Sequence, residues 1–246
     1  MKVKHRFLAV LLLSCLLFAA CTAEATNLSV GDKVYFGVFE QDNDIGNGPE
    51  KLLWRVLAVD TDKQEILLLS EYVLTAGLYD PMPNHDWRYS LVRAWLNGES
   101  YDGHDYRGGG LINAAFTPEE QEAILPFTML MAGNTADKLF LPDSSLVIRY
   151  LPDEPDRIAY PTVWAKENPG ITGEGRLFVD KQGCCYWMTS THSGYFNVVS
   201  ISFDGTLYAF YSYDSHSGIR PALKMDAAAV SIIKNKQGEL DISLKH

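Results

Sequence analysis

Cys184 and Cys185 are the two cysteines that follow the first 21 residues, and His192 stands eight positions after the first of them. A cysteine thiolate beside a histidine is a nucleophile, so an oxidative or modifying enzyme using Cys184 or Cys185 is one reading. Adjacent residues in a strand point to opposite faces, so the pair would need a bulge to share one site. Two other readings stand beside it. One is a strained vicinal disulfide in an oxidising compartment; the other is a pair of buried thiols on a strand, acting as small hydrophobes. No Gly-x-Ser-x-Gly elbow, His-Glu-x-x-His pair or Walker loop occurs in the sequence. The expectation is therefore no catalytic residue and no cofactor.

The loop QDNDIGNGPE (41–50) gathers Asp42, Asp44 and Glu50, whose oxygens could reach one calcium ion. Gly46 occupies the fifth place, where an EF-hand loop needs an acid or amide, and the expectation is a solvated loop without metal. Two later loops carry aromatics next to acids. YSYDSHSG (211–218) supplies Tyr211, Tyr213, Asp214 and His216, and ESYDGHDYRGGG (99–110) supplies Tyr101, Asp102, His104, Asp105 and Tyr106. Rings for stacking beside carboxylates for hydrogen bonding suit a sugar or a protein surface. Tyr211, Tyr213, Asp214, His216, Asp102, His104 and Tyr106 are the candidate ligand-binding residues. Arg93 and Arg220 lie in apolar surroundings and are expected to be structural forks bonded to carboxylates or carbonyls. Trp54, Trp87, Trp95 and Trp187 are expected in the core.

Strands must position these loops. Val34, Phe36 and Val38 alternate, and LLWRVLAVD (52–60) with EILLLSEYV (65–73) reads as a hairpin. SLVRAWL (90–96) is a short helix capped by Ser90, and FTPEEQEAI (116–124) is a second, with Thr117, Pro118 and Glu120 forming a capping box. Residues 133–183 read as irregular. CYWMTS (185–190) is a strand, Asp204-Gly205 turns a hairpin in NVVSISFDGTLYAFY (197–211), and a closing hairpin follows GIRPALKM (218–225). The fold class is α+β, with mainly antiparallel strands and two short helices.

The opening MKVKHRFLAVLLLSCLLFAAC joins a basic start to an apolar run too short to span a bilayer, and ends in small residues before Cys21. Phe18-Ala19-Ala20-Cys21 resembles the lipobox of bacterial lipoproteins. That resemblance implies cleavage after residue 20 and lipidation, including palmitate, at Cys21; an ordinary signal peptide cut within Thr22 to Thr26 is the alternative. The expected organisation is a signal peptide over 1–20, a tether over 21–31 and one domain over 32–246. Removing residues 1–20 from the 246 leaves 226, enough for one well-cored domain. Lys2, Lys4 and Arg6 leave with that segment, so the formal charge of −10 becomes −13. Such an acidic chain excludes nucleic acid as a partner and makes the lipid the membrane contact.

In order, FG (36–37), WRVLAVD (54–60), LLLSEYVL (67–74), HDW (85–87), S-x-x-R-x-WLN (90–97), AFTPEEQEAI (115–124), DKLFL (137–141), YWMTS (186–190), DGT (204–206) and GIRPAL (218–223) run through the chain. This series resembles a domain family of unknown function common in exported and surface proteins of Gram-positive bacteria. The tryptophan strand, hairpin and Gly-x-Arg-Pro ending also resemble the C-type-lectin-like fold of sulfatase-modifying domains. The resemblance implies a C-type-lectin-like α+β domain whose late loops form a ligand face. The family often has arginine where Thr189 stands, which removes an expected ion pair. The resulting expectation is an extracytoplasmic lipoprotein with a non-catalytic module for a glycan or an envelope or host protein. A purely structural envelope protein is the third reading.

Overall fold

The computed structural model describes residues 28–82, 86–129, 134–168, 170–173, 175–194, 197–214 and 216–245. Its first half begins with strands β1 (Lys33–Phe39), β2 (Glu50–Asp60), β3 (Glu65–Ser70) and β4 (Thr75–Gly77). Helix α1 (Leu91–Asn97) follows, then a small hairpin of β5 (Ser100–Tyr101) and β6 (His104–Asp105), then α2 (Leu111–Ala115) and α3 (Pro118–Ala123). Short strands β7 (Ile124–Leu125), β8 (Phe127–Met129), β9 (Thr135–Asp137) and β10 (Leu139–Phe140) lead to α4 (Ser144–Tyr150), α5 (Glu154–Arg157) and α6 (Val163–Glu167). The last third is all strand: β11 (Trp187–His192), β12 (Asn197–Ile201), β13 (Leu207–Tyr211), β14 (Ser217–Ile219), β15 (Ala222–Asp226), β16 (Val230–Lys234) and β17 (Leu240–Leu244).

These strands form two principal sheets. The larger runs β10-β15-β3-β2-β1-β17-β16, with β7 also on β15, and the second runs β13-β12-β11-β14-β4. Pairing is mostly antiparallel; β1 with β17 and β11 with β14 are parallel. The molecule is therefore a strand-rich α+β fold. The GIRPALKM segment crosses between the sheets. Ser217–Ile219 pairs with β4 in one, and Ala222–Asp226 pairs with β3 in the other. Arg220 and Pro221 make that crossing.

Local signals explain the first two helices. Ser90 Oγ accepts from the Arg93 N–H at the start of α1. Thr117 and Glu120 exchange reciprocal bonds at the start of α3, as the capping box requires. The expectation of two helices needs correction, because six α-helices stand among the described residues. Three of them, α4 to α6, lie inside the stretch read as irregular. They have four to seven residues each, too few for a helical period to show. Asp143 and Thr162 cap two of them through side-chain oxygens. The strand at CYWMTS starts at Trp187, two residues later than expected. The Asp204-Gly205 turn is where expected. Gly205 has φ +84, and a Cβ there would fall 1.9 Å from the Glu154 carbonyl oxygen, so only glycine suits the turn.

The tryptophans hold the core. Trp54, Trp87 and Trp187 are fully buried, and each indole N–H is satisfied. Trp54 donates to the Phe36 carbonyl at 2.8 Å, Trp87 to Asp137 at 2.7 Å and Trp187 to the Arg157 carbonyl at 2.9 Å. Burying each ring contributes roughly 2–3 kcal/mol, and none of these three indole donors is left uncompensated.

Candidate functional site

Asp80 is where the two candidate loops meet. It follows fully buried Tyr79 and is itself buried. Its Oδ1 accepts from the Met82 N–H at 2.9 Å and from the Tyr101 hydroxyl at 2.8 Å. Its Oδ2 accepts from the Leu91 N–H at 3.3 Å, and its own N–H donates to the Ser212 carbonyl at 3.0 Å. One carboxylate thus ties the β5–β6 hairpin, the first turn of α1 and the segment after β13. Burial, and then the bond to Asp80, push the Tyr101 hydroxyl above its ordinary range. Beside it lies a surface cavity of about 240 Å³ lined by residues that include Arg88, Tyr89, Arg93, Glu99, Tyr101 and Asp102. Tyr106, directly after the hairpin, is half-buried and packs against the main core, so it anchors the hairpin's end. For His104 the described structure is its backbone in β6.

The 211–218 segment presents rings. Tyr211 and Tyr213 stack with centroids 5.1 Å apart and planes within 10°, and they are 55% and 46% exposed. Asp214 closes the turn by donating its N–H to the Tyr211 carbonyl at 3.0 Å. Its Oδ1 lies 2.5 Å from His216 Nδ1 and accepts the His216 N–H at 2.9 Å. The His216 ring is thereby fixed in orientation and lies flat on Phe178, 4.3 Å away and within 14°. Two parallel ring pairs therefore mark this end of the second sheet. Phe178 was not among the sequence candidates, since it is 38 residues away in an apolar-poor stretch. Tyr208 and Phe210 were also missed. They cluster with Tyr186 and Phe203 at centroid distances of 4.3 to 6.2 Å. Their two-residue spacing on β13 is a signal that alternation could have supplied.

The arginines act as forks. Arg93 bonds Asp137 through Nε at 2.9 Å and Nη2 at 2.7 Å, and Glu99 through Nη1 and Nη2 at 2.6 and 3.0 Å. Arg220 is 0% exposed, donates Nε–H to the Ser70 carbonyl at 2.7 Å and lies 5.0 Å over Trp187. Its two Nη atoms have no hydrogen-bond partner among the described residues. Burial lowers its guanidinium to about 10, against the pull of Glu71.

Cys184 and Cys185 are both free and buried. Cys185 belongs to a small cluster with Val73, Val147, Trp187 and Ile201. Burial pushes its thiol up to about 12, so little thiolate exists at neutral pH. His192 ends β11, and Cys185 precedes that strand's first residue by two. At roughly 3.3 Å per residue the two sit on the order of 20 Å apart along the chain's course, beyond reach of a Cys–His pair. In a chain lacking residues 1–27, a maleimide is expected to leave both thiols unmodified for hours at pH 7. It should label both within minutes in guanidinium, as mass spectrometry would read.

In the acidic loop, Glu40 joins Asp42 and Glu50, with one oxygen of each within 4.8 Å of the others; Asp44 is not in the group. The loop's own donors occupy oxygens of Asp42 and Glu50, whereas Glu40 Oε1 is buried without a hydrogen-bond partner among the described residues. Asp42 accepts from the Asp44 N–H and Asn47 Nδ2, and Glu50 Oε2 accepts from the Gln41 and Asp42 N–H groups. The cluster closes the loop at the base of β1 and β2. Cys21 lies outside the described residues.

A family model described as a domain of unknown function (DUF6273) matches residues 63–227, about two thirds of the chain. The span holds both candidate loops, Asp80 and Arg220, and ends before β16 and β17. Comparison with curated proteins and with solved structures returned no match.

Proposed function

The chain belongs to the DUF6273 family, and from that premise we propose a non-catalytic module that binds an extracytoplasmic ligand, in the first instance a carbohydrate. The observation that carries this reading is the pair of parallel ring stacks, Tyr211 on Tyr213 and Phe178 on His216, at half-exposed positions beside Asp214. Flat rings take the C–H faces of sugars, and nearby carboxylates accept their hydroxyl hydrogens. Asp80 supports the reading by holding the second loop to the same region through Tyr101. The inert environment of Cys185 speaks against thiol chemistry as the activity.

The arrangement is C-type-lectin-like in this proposal, with late loops as the ligand face. The protein is exported in the manner of Gram-positive surface proteins and held to the membrane by lipid on Cys21. Among the described residues no helix is long and apolar enough to cross a membrane, and a lipid is the proposed anchor. Palmitate fed to producing cells should label the wild type and not Cys21→Ala.

Binding is tested on an array of glycans and peptidoglycan fragments, with envelope proteins as further probes. The wild type is expected to bind a limited set of glycans. Tyr213→Ala combined with His216→Ala should weaken every one at least tenfold, about 1.4 kcal/mol. Unchanged binding by the double variant would place the ligand face elsewhere.

A further inference from the structure

We propose that β13 is a self-association edge, through which two copies of this chain join antiparallel into one continuous sheet. The outer strands of the two sheets are guarded in different ways, and β7, on the same side of β15 as β10, is only two residues long. Exposed strand edges present unpaired N–H and C=O groups, and proteins blunt them with short strands, charges, prolines, bulges or cover. The main sheet ends in β10, which is two buried residues, and in β16, which closes with Lys234 and is followed by Lys236. The second sheet ends on one side in β4, three buried residues covered where the Ile171 N–H donates to the Ala76 carbonyl. At its other end β13 has none of these devices among the described residues. Its sequence LYAFY carries no charge and no proline. It pairs with β12 through five consecutive residues without a register shift, and its outer side has no strand among the described residues. Leu207, Tyr208 and Tyr211 are 39%, 56% and 55% exposed.

The direction of the free backbone groups follows from the turn. The Ser202 N–H donates to the Thr206 carbonyl. Hydrogen-bonded pairs with β12 therefore continue on 208 and 210, and Leu207, Ala209 and Tyr211 aim their backbone groups outward. The strand is self-complementary about Ala209. In an antiparallel pair centred there, Ala209 faces the partner's Ala209, Tyr208 faces the partner's Phe210, and Leu207 faces the partner's Tyr211. A two-fold axis meets the smallest side chain of the strand, and every aromatic gains a cross-strand neighbour. About four new backbone hydrogen bonds form without displacing existing ones; the Tyr211 carbonyl is already shared with Asp214. Charge selects the same occupant. In a chain of net −10, this uncharged strand is where a second acidic copy approaches with least repulsion. The result is a ten-stranded sheet, twice the five strands of one copy.

If the binding reading above holds, the pairing also sets two copies of the Tyr211–Tyr213 stack on one platform, which favours multivalent glycans by avidity. The self-association itself does not depend on that reading.

Sedimentation equilibrium of the full chain in nonionic detergent tests it. The wild type is expected to be dimeric at micromolar concentration. Ala209→Lys and Ala209→Asp each place like charges across the axis and should weaken the dimer at least tenfold, with melting of the monomer unchanged because the side chain is exposed. Mixing the two variants should restore a heterodimer. In a separate arm, Ala209→Cys should cross-link under mild oxidation, since facing Cα atoms in such a pair lie about 5.5 Å apart; Asp204→Cys, off the axis, should not. A wild type that remains monomeric to about 100 μM, including one that captures a foreign peptide instead, overturns the proposal. So does a dimer untouched by both charge variants. Loss of glycan binding with the dimer intact would count against the ligand face alone.

Discussion

Replacing Asp137 with alanine is expected to lower the unfolding free energy by about 3–5 kcal/mol, near the top of the range for one substitution. The carboxylate is 1% exposed and receives three donors from two other elements. Trp87 Nε1 lies 2.7 Å from Oδ2, and Arg93 approaches Oδ1 with Nε at 2.9 Å and Nη2 at 2.7 Å. Removing it leaves a buried indole N–H without an acceptor. It also leaves a guanidinium, 16% exposed, with Glu99 as its remaining carboxylate. The loss spreads, because Asp137 joins β9 to α1 and to the turn Trp87–Tyr89 that precedes it. Asp137→Asn keeps the shape but turns one acceptor into a donor facing donors, and should cost about 2 kcal/mol. Urea titration measures both, and the alanine variant should melt about 10 °C lower. A change below 1 kcal/mol would mean that Arg93 and Trp87 find other partners.

Acid should unfold the protein in a window set largely by Glu71. Burial alone would raise this carboxyl, but hydrogen bonds from Arg55 and Lys33 outweigh it and lower the group from 4.5 to about 2. Arg55 grips both oxygens, at 3.0 and 3.1 Å, and Lys33 Nζ lies at 2.8 Å. A carboxyl with a depressed folded pKa stabilises the fold fully above its unfolded value. That stabilisation fades as pH falls from 4.5 towards 2. The Glu71 side chain is 11% exposed, whereas Lys33 is 50% exposed, so the lysine contribution is screened. The expected loss is about 2–3 kcal/mol between pH 5 and pH 2.5, read by urea titration at each pH. Glu71→Gln should be about 3 kcal/mol less stable at pH 7, because Arg55 and fully buried Arg220 lose their nearest countercharge. It should also lose that part of the acid slope. An unchanged slope in the variant would assign the acid response to other carboxyls.

The local layer of this fold was readable. Thr117, Pro118 and Glu120 announce α3 because a capping box is written in four consecutive residues. Asp204-Gly205 announces the β12–β13 turn because only glycine accepts φ +84 against the Glu154 backbone. The β2–β3 hairpin likewise follows from two apolar runs on either side of a polar turn. The global layer was not readable from these signals. Val34 pairs with Leu240 in a parallel bridge between strands some 200 residues apart, and nothing in either strand names the other. The switch of GIRPALKM from one sheet to the other at Arg220-Pro221 has no periodicity of its own. The candidate site divides the same way. Tyr211, Tyr213, Asp214 and His216 stood out as a local cluster. Asp80 and Phe178, which fix the loops in space, act through long-range contacts and so left no mark in spacing.

This domain is proposed to recognise a ligand through the stacked rings at the end of β13, Tyr211 and Tyr213, and to release it unchanged. Isothermal titration of the strongest glycan from the array into the wild type and into Tyr211→Ala/Tyr213→Ala, with recovered glycan weighed by mass spectrometry, tests it most directly. At least a tenfold rise in Kd is expected for the double variant, and a glycan of unaltered mass after incubation with the wild type. Equal affinities for the two proteins, or a glycan shortened or modified by the wild type, would contradict it.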